Sequence, residues 1–265
     1  MFSKKWKAIL AAGALAAAVV ITGCGGSGNA GSSASGSSSQ AKIIRVGAET
    51  TFPPFEFTQD DKYVGFDIDL ADAVIKEMGA QMEFKSMGFD ALIPALQSGQ
   101  IDMVASGMDV TPEREKQVSF SDIYFDKSGF VVIVSKDNDQ IHDWKDLEGK
   151  VVGGQVGTKQ VQYAQEAKAS QVKQFDSNSQ AFMELNAKTV DAVVIDAPVG
   201  MYYLKQGADK DLKIVGTPKE SVGFAFAVKK DNKQLQESIN KALKTIKENG
   251  TYDKIYNKWF GTSGK

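Results

Sequence analysis

Beyond its first 41 residues the chain alternates short β-rich runs with stretches of helical period. Ile43–Ala48 reads as a strand. Asp67–Met78 reads as an amphipathic helix, because Leu70, Val74, Ile75 and Met78 recur on one face. Acids crowd the start of that helix, where its dipole favours them, and Gly79 ends it. Asp90 is expected to cap a second helix that runs through Gln97 and stops at Gly99. Ile101–Ala105, Val131–Val134, Val151–Gly153, Val190–Ile195 and Phe224–Val228 are apolar runs of strand length. Near the carboxyl end Leu235, Ile239, Ala242 and Ile246 share a helical face ahead of Gly250, and Tyr252–Trp259 forms a further helix. This alternation is the signature of an α/β protein.

One junction recurs. Leu96, Ile101, Asp102 and Val104 occupy the same offsets as Leu185, Val190, Asp191 and Val193, each time where a helix gives way to a strand. The repeat fits either ordinary reuse of an α/β junction or two similar lobes. Ligands of open α/β sheets bind beyond the carboxyl ends of strands. Ser106-Gly107-Met108-Asp109 and Asp196-Ala197-Pro198 are therefore the two loops expected to carry a site.

The opening segment has a different character. Lys4, Lys5 and Lys7 precede an apolar run from Ala8 to Ile21 that closes on Thr22-Gly23-Cys24. A positive n-region, a short h-region and small residues before a cleavage point predict a secretory signal over residues 1–23. The run is shorter than the roughly 20 residues a bilayer span needs. The residue just after Thr22-Gly23 is the chain's single cysteine, in an arrangement that resembles a bacterial lipobox, so Cys24 is expected to be lipidated and to begin the mature protein. Residues 24–41 follow as a Gly/Ser/Ala-rich tether that cannot bury enough apolar surface to offset its ordering entropy.

What remains is about 220 residues, enough for two modest lobes. With no further cysteine and His142 as the single histidine, the folded part has no material for disulfides, a cysteine zinc site or a histidine-rich metal centre. His142 lies in a polar stretch and reads as a loop residue. The net charge is −2 and the signal removes three lysines, so no basic face is available for nucleic acid.

Three groups of residues carry candidate chemistry. Arg114 follows Thr111-Pro112-Glu113 just past the first site loop, and with Arg45 it is one of only two arginines against 29 lysines. A guanidinium grips a carboxylate bidentately and keeps its charge when desolvated; the competing role is a surface ion pair with Glu113 or Glu115. Gln155-Val156-Gly157-Thr158 sits between a strand and a helix, where free backbone N–H groups attract anions, and Thr158 fits equally as a helix N-cap. Phe52, Phe55, Phe57 and Phe89 supply aromatic surface around Pro53-Pro54. Phe55 and Phe57 are expected in the core, and Phe52 as the wall of a site.

The runs Pro53-Pro54-Phe55-Glu56-Phe57, Gly65-Phe66-Asp67-Ile68-Asp69-Leu70, Phe120-Ser121-Asp122, Asn249-Gly250-Thr251-Tyr252 and Lys258-Trp259-Phe260-Gly261 resemble the extracellular solute-binding proteins of family 3. These are the polar amino-acid binders of ABC importers, and the pattern is nearest the glutamine, arginine and lysine/arginine/ornithine binders. The resemblance implies a two-lobed periplasmic-binding-protein-like fold of type II, with residues 42–124 and 226–261 in one lobe, 125–225 in the other, and two crossover strands between them. It implies that Arg114 clamps the ligand α-carboxylate, aided by backbone N–H groups near Asp109 and Thr158. Asp196 then takes the α-ammonium beside the Gly107 carbonyl, Phe52 and Phe89 sandwich the side chain, and Glu49 and Gln155 meet its polar end. Glu49 stands where such binders usually have Asp, and Asp109 where Ser or Thr is usual. Spare carboxylates and aromatic faces favour a cationic side chain, so the order expected is arginine or lysine, then glutamine, then acidic amino acids. The resemblance further implies a free L-amino acid as ligand, a permease and ATPase as partners, a lipid-anchored monomer outside the cytoplasmic membrane, and no cofactor. A dehydratase-like enzyme on the same fold is the alternative from another class.

Overall fold

The computed structural model describes residues 42–261, so the expected signal, Cys24 and the tether lie outside the described residues. The first stretch comprises β1 (Lys42–Ala48), a small hairpin set of β2 (Thr51–Phe52), β3 (Glu56–Gln59) and β4 (Lys62–Val64), then α1 (Phe66–Glu77), β5 (Ala80–Ser86), α2 (Phe89–Ser98), β6 (Met103–Val104), α3 (Pro112–Glu115) and β7 (Val118–Phe120). A second stretch holds β8 (Gly129–Ser135), β9 (Val151–Gln155), α4 (Lys159–Glu166), β10 (Gln171–Phe175), α5 (Asn178–Asn186), β11 (Ala192–Asp196), α6 (Ala197–Lys205) and β12 (Leu212–Glu220). The chain then returns with β13 (Ala227–Lys229), α7 (Lys233–Glu248) and α8 (Thr251–Phe260).

Two five-stranded sheets result, ordered β5-β1-β6-β13-β7 and β10-β9-β11-β8-β12. In each, the first three strands are parallel and the fourth is antiparallel to the third. The repeated junction falls on corresponding strands, β6 and β11. Its aspartate has one task in both: Asp102 accepts the Arg45 N–H at 2.9 Å while its own N–H donates to the Arg45 carbonyl. Asp191 makes the same reciprocal pair with Val151. The carboxylate thus satisfies a strand N–H at the entry to each third strand.

The chain crosses between the sheets twice, and the crossings touch. Phe125 bridges Phe224, Phe224 N–H donates to the Phe125 carbonyl at 2.8 Å, and Tyr124 N–H donates to the Phe224 carbonyl at 3.0 Å. The expected strand Phe224–Val228 therefore shortens to Ala227–Lys229, its first residues being spent on the crossing. Asp90 does not cap α2: the helix begins at Phe89 behind Gly88, and Asp90 sits in its first turn. Asp196-Ala197-Pro198 is not a loop, because α6 starts directly at Ala197, with proline in its first turn where a missing N–H costs nothing. Phe57 is half-buried rather than core; it lies on the hairpin with Trp259 and Tyr202 at 5.8 and 6.1 Å between ring centres.

Phe66 opens α1 and is fully buried, packed edge-on against Phe55, Phe125, Tyr252, Tyr256 and Phe260. It joins the Pro-Pro segment, the crossing and the last helix. Phe66→Ala is expected to cost about 3–5 kcal/mol through lost burial and a cavity. Urea denaturation checks this, and a loss below about 1 kcal/mol would show that these elements do not depend on the ring.

Candidate functional site

The carboxyl ends of β1, β6, β9 and β11 converge on a cavity. All nine residues singled out in the sequence line it: Glu49, Phe52, Phe89, Gly107, Asp109, Arg114, Gln155, Thr158 and Asp196. Glu56, Ser106, Phe130 and Gln160 complete the lining. Both sheets contribute, as expected for strand ends facing each other across a crevice.

Arg114 lies in α3, whose start is fixed by the Thr111 hydroxyl accepting the Arg114 N–H at 3.2 Å. Its guanidinium is buried. Nη1 donates to the Asp109 carbonyl at 2.9 Å, Nη2 donates to the Gly157 carbonyl at 3.2 Å, and Cζ lies 5.1 Å from the Phe89 ring centre. Neither Glu113 nor Glu115 forms a salt bridge with it among the described residues. Burial lowers its pKa, while Asp109 and Asp196 oppose that shift; a guanidinium stays charged regardless. Arg114 thus covers one face of Phe89 in a cation–π contact.

Asp196 ends β11 and is buried. Oδ2 accepts Gln160 Nε2 at 3.1 Å, whereas Oδ1 is buried with no partner. Burial, then the neighbouring Asp109, pushes its carboxyl well above the ordinary range. Asp109 is also buried and accepts the hydroxyl of Ser221, a residue of the return crossing. Thr158 precedes α4 but donates its hydroxyl to the Gln155 carbonyl at 2.6 Å, so the helix start has no side-chain cap. Gln155 is anchored at both ends of its amide, donating to the Asp176 carbonyl and accepting from Asn178. Gln160 and Asn178, both buried, finish this amide network.

Two further acids, Glu49 and Glu56, line the cavity. Glu49 accepts the Thr51 N–H at 3.1 Å, and its own N–H donates to Ser106 Oγ at 3.0 Å. Ser106 Oγ donates to Glu56 Oε1 at 3.0 Å, and Glu56 Oε2 is buried without a partner. Beneath the next residue, Asp67 Oδ2 accepts the Gly107 N–H at 2.8 Å and the Tyr124 hydroxyl. Two buried acids therefore hold successive residues of one loop. Gly107 has φ +47, and a Cβ there would meet Phe52 Cε1 at 2.6 Å, so no other residue fits against that ring. Glu56 escaped the sequence reading as a site residue. Its signal was an acid flanked by two phenylalanines at the start of a strand.

Burial raises the Asp67 pKa to about 6, against the opposing hydrogen bonds from Gly107 and Tyr124. The folded state then binds this proton more tightly than the unfolded chain, whose value is near 4. The stabilisation is present below about pH 4 and lost as pH rises through about 6. Asp67→Asn keeps the neutral shape, and it should flatten the fall in stability from pH 4 to 7 by up to about 3 kcal/mol. Urea melts across that range test this; an unchanged slope would show that Asp67 is ionised throughout.

The family model of the bacterial extracellular solute-binding proteins, family 3, matches residues 44–262. The arginine-binding extracellular protein ArtP of Bacillus subtilis (strain 168) is 39% identical over 261 residues, covering 97% of this chain and 98% of its own length. An ancestral arginine-binding protein bound to glutamine superposes with a TM-score of 0.80 at 50% identity, covering 84% of this chain and 100% of that one. One bound to arginine gives 0.78 at 51%, covering 83% and 98%. With that match running through both sheets and both crossings, the chain belongs to the bacterial extracellular solute-binding proteins, family 3.

Proposed function

We propose that this protein binds a cationic amino acid, arginine first and lysine next, as the extracytoplasmic binding component of an ABC importer. The observation that carries the reading is the surplus of buried acid in a cavity whose lining holds one cation, Arg114, among the described residues. The buried Arg114 and the partnerless Oδ1 of Asp196 are opposite partners for an α-carboxylate and an α-ammonium. Glu49 and Glu56 also line the cavity, neither in a salt bridge among the described residues. A zwitterion entering such a space loses hydration, a loss offset only where each charge meets a partner. The surplus acid suits a side chain that brings its own positive charge.

The named relatives support arginine, and the glutamine-bound neighbour supports glutamine as the second reading. Those relatives are binding proteins rather than enzymes, and the protein is not a dehydratase. In this reading residues 42–124 with 226–261, and residues 125–225, are the lobes. They hinge at the paired crossings around Phe125 and Phe224 and close on the ligand as a monomer. Glu49, Phe52, Phe89, Gly107, Asp109, Arg114, Gln155, Thr158 and Asp196 form the binding set, with Gln155 holding the wall through Asn178. A permease and ATPase take the ligand onward, and lipidated Cys24 keeps the protein at the outer face of the membrane.

Calorimetric titration of arginine, lysine and glutamine onto protein freed of co-purified ligand tests the reading. Arg114→Ala should weaken all three by at least about 100-fold, since every amino acid has the α-carboxylate. Glu49→Gln should weaken arginine and lysine by about 10-fold or more while sparing glutamine, because it removes charge and keeps shape. Equal losses for glutamine and arginine in Glu49→Gln would make Glu49 structural. For the anchor, intact-mass analysis of membrane-extracted protein should show a lipid-modified chain starting at Cys24, and Cys24→Ala should be released; an anchored Cys24→Ala would refute it.

A further inference from the structure

We propose that Glu56 is a specificity-determining residue that holds a proton in the ligand-free protein and gives it to solvent when a cationic side chain enters the cavity. This rests on the reading that the ligand is cationic. Glu56 is 1% exposed and lines the cavity, with one oxygen held by Ser106 and the other buried without a partner. The titratable groups facing it are all acids or phenols: Asp67 from α1, Glu49 after β1, Asp196 at the end of β11, and Tyr124 beyond Asp67. Among the described residues the cation lining the cavity is Arg114, which is committed to the carbonyls of Asp109 and Gly157, and whose charge acts on Asp109 and Asp196. An ionised Glu56 in this place has no counter-charge, so the neutral acid is the stable form. Burial first, then Asp67 and Glu49, drive its carboxyl well above the ordinary range.

A guanidinium or ammonium arriving beside Oε2 reverses this preference. The O–H bond of Glu56 breaks, the proton passes to the buffer, and the carboxylate pairs with the incoming cation, which keeps its own protons. One positive charge enters and one leaves, so the net charge of the cavity is unchanged. A neutral amide has nothing to exchange. Selection for a cation then resides in a proton that only a cation displaces. Asp196 faces the α-ammonium common to all amino acids, so any proton it releases is the same for every ligand.

Proton release is read by calorimetry at pH 6 and 7 in pairs of buffers that differ in ionisation enthalpy. Arginine should release more protons than glutamine, by up to about one. Glu56→Gln should abolish that excess while leaving the proton count for glutamine unchanged, and Glu49→Gln should retain it. Glutamine binding by Glu56→Gln also reports its fold. Should that variant not fold, the wild-type difference and the matching fall of arginine affinity, relative to glutamine, as pH drops from 7 to 6 decide the matter. Equal proton release for the two ligands, or an excess that survives Glu56→Gln, overturns the inference and leaves arginine binding intact. Failure of arginine and lysine to bind overturns the functional reading and this inference with it.

Discussion

One guanidinium spans the crevice between the two sheets. Arg114 is carried by a short helix beside the first sheet, yet it donates both to Asp109 on its own side and to Gly157 on the other. Its central carbon also lies over the ring of Phe89. A lysine cannot meet these demands together, because a compact ammonium has no flat face and loses charge more readily when buried. That is the physical reason an arginine occupies this position in a chain that otherwise uses lysine for nearly all its positive charge.

The rest of the site follows from where that charge acts. Asp109 and Asp196 lie within its influence, so their burial is partly compensated. Glu49, Glu56 and Asp67 lie outside it, and their carboxyl groups are all raised, with burial as the leading cause. The loop Ser106–Gly107 hangs between these acids, bound through a hydroxyl on one side and a backbone N–H on the other. Asp67 and Asp69 share the first turn of α1, and Asp69 accepts Lys258 and Trp259 from α8. The turn that supports the cavity loop thus also fixes the last helix of the described fold.

Much of this was legible in the sequence, and the pattern of omissions is physical. Strands in sheet interiors, such as β8 and β11, are unbroken apolar runs and were found. The missed strands β5, β10 and β12 are all sheet edges, where exposed positions carry Gln, Glu and Lys and the apolar signal is diluted. The nine cavity residues were recoverable because their positions follow strand ends or match family motifs. Gln160 and Asn178 were not, since a buried amide network depends on helix packing that leaves no mark in local periodicity. Glu56 was hidden inside a matched motif whose phenylalanines claimed attention. Phe57 was taken for core because large aromatics usually are, but a three-stranded hairpin has only one buried face.

The unusual Asp109 finds its account in the crossings rather than in the cavity alone. If Arg114 takes the ligand carboxylate as proposed, a second acid beside it invites repulsion with that carboxylate. Here one oxygen is held by Ser221, and Asp109 itself bridges Phe224 within the return crossing. The cavity wall and the connection between the sheets are therefore one hydrogen-bonded unit. On the proposed function, an amino acid that pairs with Arg114 and Asp196 draws on groups from both sheets, so its affinity is expected to be greatest when they approach. Under that proposal closure and recognition share the same free energy, and a ligand lacking either α-group is expected to lose its hold on one sheet and the drive to bring the two together.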